Sequence, residues 1–311
     1  MMKPNQVHGN SQGLELLIEK IHQHYDDQTC EIILSGLREK RVVSLRVNTL
    51  KKTKDEIKHD LDHAHIMYHD VSWYEDALIV ETKESVIEEL EMFKQGWIYL
   101  QSLSSMIPAL LMDVKPKHTI LDMAAAPGGK TTLLAALTQD QASITAIEAN
   151  PIRAEKLKFN LSRQGVKQAS VMVKDARLLD PYFIFDRILL DAPCSGSGTI
   201  LADDPKSYAF FSQKLIDKSV ETQKALIKKA VELLKVGETM IYSTCSILPD
   251  ENEDVIKSIL KLGLVEVVPI VDEEWHNIPQ LSPQIHGTLL IPPSQLFEGF
   301  YIAKLRKKHK K

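Results

Sequence analysis

Residues Ile120 to Leu137 read ILDMAAAPGGKTTLLAAL, and the fold of the chain turns on them. An apolar run stops at Ala126-Pro127-Gly128-Gly129 and resumes as a small-residue helical pattern. That order predicts a strand, a tight glycine turn and a helix N-terminus. Such a turn lets the backbone come close to a ligand, and the helix start offers free N–H groups. Spacing excludes two familiar readings. A phosphate-binding P-loop needs a glycine five positions before the Gly-Lys-Thr, where this chain has Ala124. A dinucleotide fingerprint needs Gly-x-Gly-x-x-Gly, and no such spacing is present.

What remains is a loop that wraps a nucleoside without a polyphosphate, and S-adenosylmethionine meets that description. Taken alone, the motif also fits an ordinary strand-turn-helix. Its surroundings decide otherwise. Glu148 ends the next apolar segment, nineteen residues after Gly129, where an acidic side chain accepts hydrogen bonds from ribose hydroxyls. Asp175 follows the short run Ser170 to Lys174 and is placed for an adenine amino group, while Asp191 closes Arg187 to Leu190. Four strand ends thus bring a glycine loop and three carboxylates to one edge, which in an open parallel sheet is the ligand edge.

Bulk properties narrow the class. At 311 residues about two domains are expected, and 44% hydrophobic with 26% charged residues is the composition of a soluble globular protein. No apolar run reaches the length of a membrane span, and MMKPNQVHGNSQG is no signal peptide, so a cytoplasmic protein is expected. The net charge of −4 argues against a globally basic nucleic-acid binder and confines any such footprint to a patch.

Ahead of the glycine loop the pattern predicts a small α+β module. It has a helix over 13–37, a strand over 42–50, a helix over 55–63, a strand at 77–80 and an acidic helix over 86–93. Arg38, Lys40, Arg41, Arg46, Lys51, Lys52 and Lys54 form a basic set suited to a phosphate backbone, or to a plain solvated face. His63, His65 and His69 lack a nearby cysteine and a closed ligand set, so no metal is expected. From Leu121 onward strand and helix alternate, which predicts a mostly parallel, doubly wound α/β sheet. Residues 277–298 read as loop, 299–305 as a last strand, and 306–311 as a disordered basic tail. The domains expected are 1–95, 96–305 and the tail.

Of three cysteines, none forms a C-x-x-C pair. Cys194 lies in Asp191-Ala192-Pro193-Cys194-Ser195-Gly196-Ser197-Gly198, and Cys245 in Tyr242-Ser243-Thr244-Cys245-Ser246. Buried structural cysteines sit within apolar stretches, whereas these two lie in polar turns at the ligand edge. If their strands are neighbours, both thiols stand at the same rim.

With these motifs the chain resembles the Sun-type RNA cytosine-5 methyltransferases. The likeness covers all but the extreme ends, including Arg46-Val47-Asn48-Thr49-Leu50 and Glu298 to Leu305. It extends to the bacterial RsmF type, which modifies small-subunit ribosomal RNA. The resemblance implies a Rossmann-like S-adenosylmethionine-dependent domain behind an RNA-binding α+β domain. It implies Cys245 as nucleophile and Cys194 as the aid to product release. It assigns cofactor binding to Ala124, Ala125, Ala126, Pro127, Gly128, Gly129, Lys130, Glu148, Asp175 and Asp191. Many members carry cysteine at the position of Ala124, and RsmF-like members share the alanine. The C-terminal RNA-binding extension of longer RsmF-type members is missing.

The chemistry accounts for such residues. Carbon 5 of cytosine is a poor nucleophile until a thiolate adds at carbon 6. A free thiol is only a few per cent ionised near neutral pH, so Cys245 needs a positive neighbour such as Lys130. A protonated Asp191 at the ring nitrogen would stabilise the adduct, and a base, suitably Cys194, must then strip the carbon 5 proton. The target is a single-stranded or unstacked cytosine in ribosomal or transfer RNA, and a monomer is expected. Two rivals stand beside this reading. In a DNA cytosine-5 methyltransferase, Cys194 would be the nucleophile and the Thr-Cys-Ser turn goes unexplained. A non-catalytic ribosome assembly factor would have no use for two thiols.

Overall fold

The computed structural model describes residues 11–270, 275 and 277–309. The expected first helix is two, α1 (Gln12–His24) and α2 (Asp27–Gly36). Between them Tyr25 is extended, and the Asp26 side chain caps the second helix by accepting from Thr29 N at 2.7 Å. Leu17, Ile21 and Ile33 of this pair pack with Ile247, Leu248 and Phe211 of the large domain. The Tyr25 hydroxyl also bonds the Ile247 carbonyl. The two helices therefore belong to the large domain's core, although they precede the small module in sequence.

The small module is an antiparallel sheet of β1 (Val43–Val47), β2 (Tyr68–Asp70), β3 (Ala77–Val80) and β4 (Ile98–Leu100), in the order β2-β3-β1-β4. Helix α3 (Lys54–His63) starts at a capping box of Thr53 and Glu56, and packs Ile57 and Leu61 against Leu45, Leu78 and Ile98. The acidic helix is broken at the extended Leu90 into α4 (Glu84–Glu89) and α5 (Glu91–Lys94). The expected boundary at residue 95 falls short of β4, because β1 needs that strand as its second partner.

Helix α6 (Leu103–Leu110) leads into the large domain. There β5 (Thr119–Asp122), β6 (Ser143–Glu148), β7 (Ala169–Val173), β8 (Phe185–Asp191) and β9 (Leu234–Thr244) run parallel. The strands β10 (Val265–Val267), β11 (Leu289–Ile291) and β12 (Phe300–Lys307) add antiparallel. The path is β10-β12-β9-β8-β5-β6-β7. Helices α7 (Gly129–Leu137) and α8 (Pro151–Gln164) follow β5 and β6, α9 (Gln213–Leu233) precedes β9, and α10 (Glu253–Leu260) follows it. The inner stretches of the central strands are buried on both faces, and successive side chains alternate between two cores. Ile188 and Leu190 join the core beneath α9 and α10, while Leu189 and Ile241 join that beneath α6 and α7.

Strand β12 runs past the expected end at residue 305, with Arg306 paired to Thr239 and Lys307 to Val265. The first two residues of the supposed tail are thus sheet, and Lys310 and Lys311 lie outside the described residues. Among the described residues no helix is long and apolar enough to cross a membrane.

One buried cation ties the two sheets together. Arg46 of β1 is 0% exposed, and burial lowers its pKa to about 10. Its Nε donates to Gln101 Oε1 at 2.9 Å and its Nη2 to the Gly129 carbonyl at 3.0 Å and to Thr132 Oγ1. An Arg46→Leu substitution orphans those acceptors, and we expect it to cost about 2–4 kcal/mol of stability in urea titration. A loss below about 0.5 kcal/mol would show that the sheets do not depend on it.

Candidate active site

The glycine loop connects β5 to α7 at the point where the sheet's strand order reverses, between β6 and β8. Its backbone is fixed from below and behind. Met123 N donates to Leu189 O at 3.0 Å and Ala125 N to Ile147 O at 2.8 Å. From α8, Arg153 Nη2 donates to Ala126 O at 2.9 Å and Asn160 Nδ2 to Pro127 O at 2.8 Å. Gly128 has φ of +110°, and a Cβ there would lie 3.1 Å from Leu157, so the turn requires glycine.

The inner face of the loop lines a cavity of about 310 Å³, within the usual size of small-molecule sites. Of the expected residues, Ala124, Ala125, Ala126, Pro127, Gly129, Lys130, Asp191 and Cys245 are on its wall. Gly128, Glu148, Asp175 and Cys194 are not. Glu148 sits at the neighbouring strand end, 5% exposed, accepting from Asn150 N at 2.8 Å with Arg153 3.4 Å away. Asp175 turns to Arg177, two residues on, through contacts of 2.6–3.0 Å that hold its carboxyl below the usual range.

Lys130 is the cation of the site. Its Nζ donates to Asp191 Oδ2 at 2.7 Å and to Ser105 Oγ at 2.8 Å. Burial acts to lower its pKa, but the charge and hydrogen bond of Asp191, with Asp122 and Cys245 adding, raise it overall. Ser243 Oγ holds the other Asp191 oxygen at 2.7 Å. A second carboxylate, Asp122, lies beneath at 1% exposure and accepts from Thr131 Oγ1 at 2.7 Å. Burial, with Asp191 adding, pushes it up to about 6.

The two thiols meet as the strand order requires. Cys194 Sγ lies 3.3 Å from Cys245 Sγ. The bond to Cys245, burial and the charges of Cys245 and Glu251 raise the Cys194 pKa well above the ordinary thiol value. In the pair, Cys194 therefore keeps its proton and Cys245 faces the cavity. Gly198 N donates to the Cys245 carbonyl at 2.9 Å. A Cβ on Gly198 would lie 2.0 Å from the Gly299 carbonyl, so the cysteine loop and the β12 approach touch backbone to backbone.

Several residues of the site escape sequence reasoning. Tyr99, Gln101 and Ser102 reach the cavity from the small module, and Glu298, whose Oε2 accepts from Ser102 Oγ at 2.7 Å, closes it from the far side. Asp122 was hidden as the last residue of an apolar strand. Glu251, fully buried behind the thiols, reads in sequence as the start of a surface helix.

The basic set is spent differently from expectation. Lys51 Nζ donates to the Gln95 and Arg163 carbonyls at 2.8 and 2.6 Å, Lys52 pairs with Glu56 at 2.9 Å, and Lys54 with Asp70 at 2.5 Å. Arg41 donates to the Gly36 and Glu39 carbonyls, and Arg46 is buried. Arg38, Lys40 and Lys51 of the set are exposed. His63 contacts His59 and His69 contacts Glu81.

The state of Asp122 is open to measurement. Its folded pKa stands above the unfolded value of about 3.9, so the fold favours its protonated form. That contribution is fully present below about pH 4 and lost as pH rises through about 6. Against Asp122→Asn, which keeps an acceptor for Thr131, the parent should lose relative stability across this window in denaturant titrations. A flat difference would mean that Asp122 titrates as an ordinary carboxylate.

Comparison with known proteins supplies the context. The family described as "16S rRNA methyltransferase RsmB/F" matches residues 109–306, and "Methyltr_RsmF/B-like, ferredoxin-like domain" matches 15–87. The chain is 37% identical over 273 residues to the ribosomal RNA small subunit methyltransferase F of Shewanella amazonensis, covering 85% of this chain and 58% of that one. To the tRNA (cytosine(49)-C(5))-methyltransferase of Pyrococcus abyssi it is 38% identical over 280 residues, covering 85% and 88%. A solved methyltransferase homolog protein from Pyrococcus horikoshii superposes with a TM-score of 0.81 at 29% identity, covering 99% of this chain and all of that one. The chain thus spans less than two thirds of some relatives and nearly the whole of others. Over the sheet that carries the glycine loop and both thiols, it belongs to the RsmB/F methyltransferase family.

Proposed function

We propose that the chain transfers a methyl group from S-adenosylmethionine to carbon 5 of a cytosine in RNA, through a covalent cysteine adduct at carbon 6. The observation that carries this is the thiol pair, 3.3 Å apart, beside a glycine loop and a half-buried Lys130–Asp191 ion pair. Ribosomal RNA is the first reading of the substrate, from the family. Transfer RNA is the second, favoured by the 88% coverage of a relative named for a transfer RNA cytosine.

The cofactor fits what is present. The loop offers its inner face to a cavity of suitable size, and Glu148 stands at the next strand end as a hydroxyl acceptor. Residues Ala124 to Lys130, Glu148, Asp175 and Asp191 are assigned to hold it. When bound, S-adenosylmethionine supplies the electrophilic methyl.

The chain's own residues do the rest. Cys245 attacks carbon 6 as thiolate, its charge favoured by Lys130 and by the hydrogen bond from Cys194. Through Asp191, the ion pair with Lys130 supplies the proton that the ring nitrogen beside the amino group takes up as the adduct forms. After methylation a base removes the carbon 5 proton, the carbon 5–carbon 6 double bond returns, and Cys245 leaves as thiolate. Cys194 is assigned that step: once Cys245 is bonded to carbon 6, Cys194 gives its own proton to solvent and its thiolate, 3.3 Å from the Cys245 sulfur, takes the one on carbon 5. The cavity wall favours Cys245 over Cys194 as nucleophile, which counts against the DNA-type mechanism.

The cytosine must leave its stack to reach this wall. The small module, which contributes Tyr99 and Gln101 to the wall, is the RNA-binding unit in this reading. We further infer a monomer working in the cytoplasm, where free thiols stay reduced.

Adducts test these roles. Cys245→Ala should abolish both methyl transfer and any protein–RNA adduct. Cys194→Ala should instead accumulate an RNA-linked species that survives denaturing electrophoresis and requires added S-adenosylmethionine. An adduct in the first variant, or none in the second, overturns the assignment. Bisulfite sequencing of RNA from a deletion strain then separates ribosomal from transfer RNA.

A further inference from the structure

The mechanism above leaves the buried carboxylate behind the two thiols unused. Glu251 is 0% exposed, and Ser195 and Ser246 surround its carboxylate. Oε1 accepts from Ser195 N at 2.7 Å, and Oε2 accepts from Ser195 Oγ at 2.5 Å and Ser246 Oγ at 2.6 Å. Ser195 follows Cys194 and Ser246 follows Cys245, so one side chain joins the neighbours of both thiols across the rim. Burying an ionised carboxylate is costly unless donors satisfy it, and here three hydroxyl and amide donors converge on it. Gln223 of α9 stands 3.5 Å behind and fixes the remaining side. The Glu251 carbonyl in turn accepts from the Tyr242 hydroxyl at 2.6 Å, which ties the residue to β9 itself.

We propose that Glu251 is a positioning residue for the second half of the reaction. It holds the Cys194 turn against the Cys245 turn, so that the Cys194 sulfur reaches the proton on carbon 5. The inference rests on the function proposed above. In that half Cys194, no longer bonded to a Cys245 thiolate, gives its own proton to solvent; the resulting thiolate takes the carbon 5 proton, and the C–H electron pair forms the carbon 5–carbon 6 double bond. The carbon 6–sulfur bond breaks and its pair returns to Cys245 as thiolate. Attack and methyl transfer need only Cys245 and the cavity wall, of which Glu251 is no part. Loss of the carboxylate should therefore separate the two halves, whereas a residue that merely stabilises the fold would weaken both.

The test uses the full chain with Glu251→Gln, mixed with cellular RNA and S-adenosylmethionine. Turnover should fall about 100-fold, the cost of an ångström-scale misplacement. Cofactor affinity should hold, and a cofactor-dependent adduct should accumulate as in Cys194→Ala. In the Cys194→Ala background, Glu251→Gln should add no further loss, because both act on one step. Ser195→Ala, which removes the 2.5 Å contact and little else, should show the same adduct in smaller amount if Glu251→Gln does not fold. Undiminished turnover, a loss that multiplies with that of Cys194→Ala, or weakened cofactor binding without adduct would each overturn the proposal. A Cys194→Ala enzyme that forms no adduct would instead remove the functional reading beneath it, so the two failures are distinct.

Discussion

The register between β8 and β9 sets everything at the rim. Asp191 pairs with Ser243 as parallel neighbours, and each strand ends at or just beyond that rung. The chain then enters two polar turns whose cysteines lie three and two positions further on. A slip of one residue would turn Asp191 to the opposite face of the sheet and carry the thiols out of reach. The Ser243–Asp191 hydrogen bond of 2.7 Å spans this same rung, so the pairing that builds the sheet also orients the carboxylate. Behind the turns, Tyr242 bonds the Glu251 carbonyl and Thr244 bonds Asn252, which returns the chain after Cys245 under its own strand.

Charge is arranged around that rung with little margin. Lys130 is a nearly buried ammonium, and a buried cation survives only when paired. Asp191 supplies the pair, and burial, with the nearby charge of Asp191 adding, makes the second carboxylate, Asp122, hard to ionise. The result is one net ion pair and one reluctant acid beneath a cavity that also holds a thiol. Lys130 thereby keeps its positive charge beside the cavity, while the bond to Cys245 and burial raise the Cys194 thiol.

Much of this was legible in sequence because it is local. The glycine turn, the strand ends at Glu148 and Asp191 and the polar setting of both cysteines all follow from residues near each other in the chain, and alternation of strand and helix sufficed to make the sheet parallel. What sequence could not deliver depends on contacts across long separations. No periodicity reveals that α1 and α2 leave the small module for the core beneath α9, or that Arg306 and Lys307 complete a strand against β9 and β10. The basic cluster at Lys51 to Lys54 suited a phosphate backbone or a solvated face alike, and composition could not show its partners, Glu56, Asp70 and the Gln95 and Arg163 carbonyls. Glu251 was the hardest to see, since an acidic residue at a helix start ordinarily faces water, and only the folded turns reveal its donors.

The small module is not an appendage to this site. Arg46 reaches from β1 to the Gly129 carbonyl and Thr132, so the first turn of α7 is anchored by a residue of the other sheet. Its Nε meanwhile fixes Gln101, and the guanidinium lies 5.2 Å from the Tyr99 ring, both of which stand on the cavity wall. A Cβ on Gly129 would sit 3.2 Å from that ring, so the loop and the module are in contact with no space between them. Any displacement of the module must therefore shift either the N-terminus of α7 or the wall of the cavity. The buried arginine touches both halves of the arrangement, which accounts for a cation standing where an apolar side chain would be easier to bury.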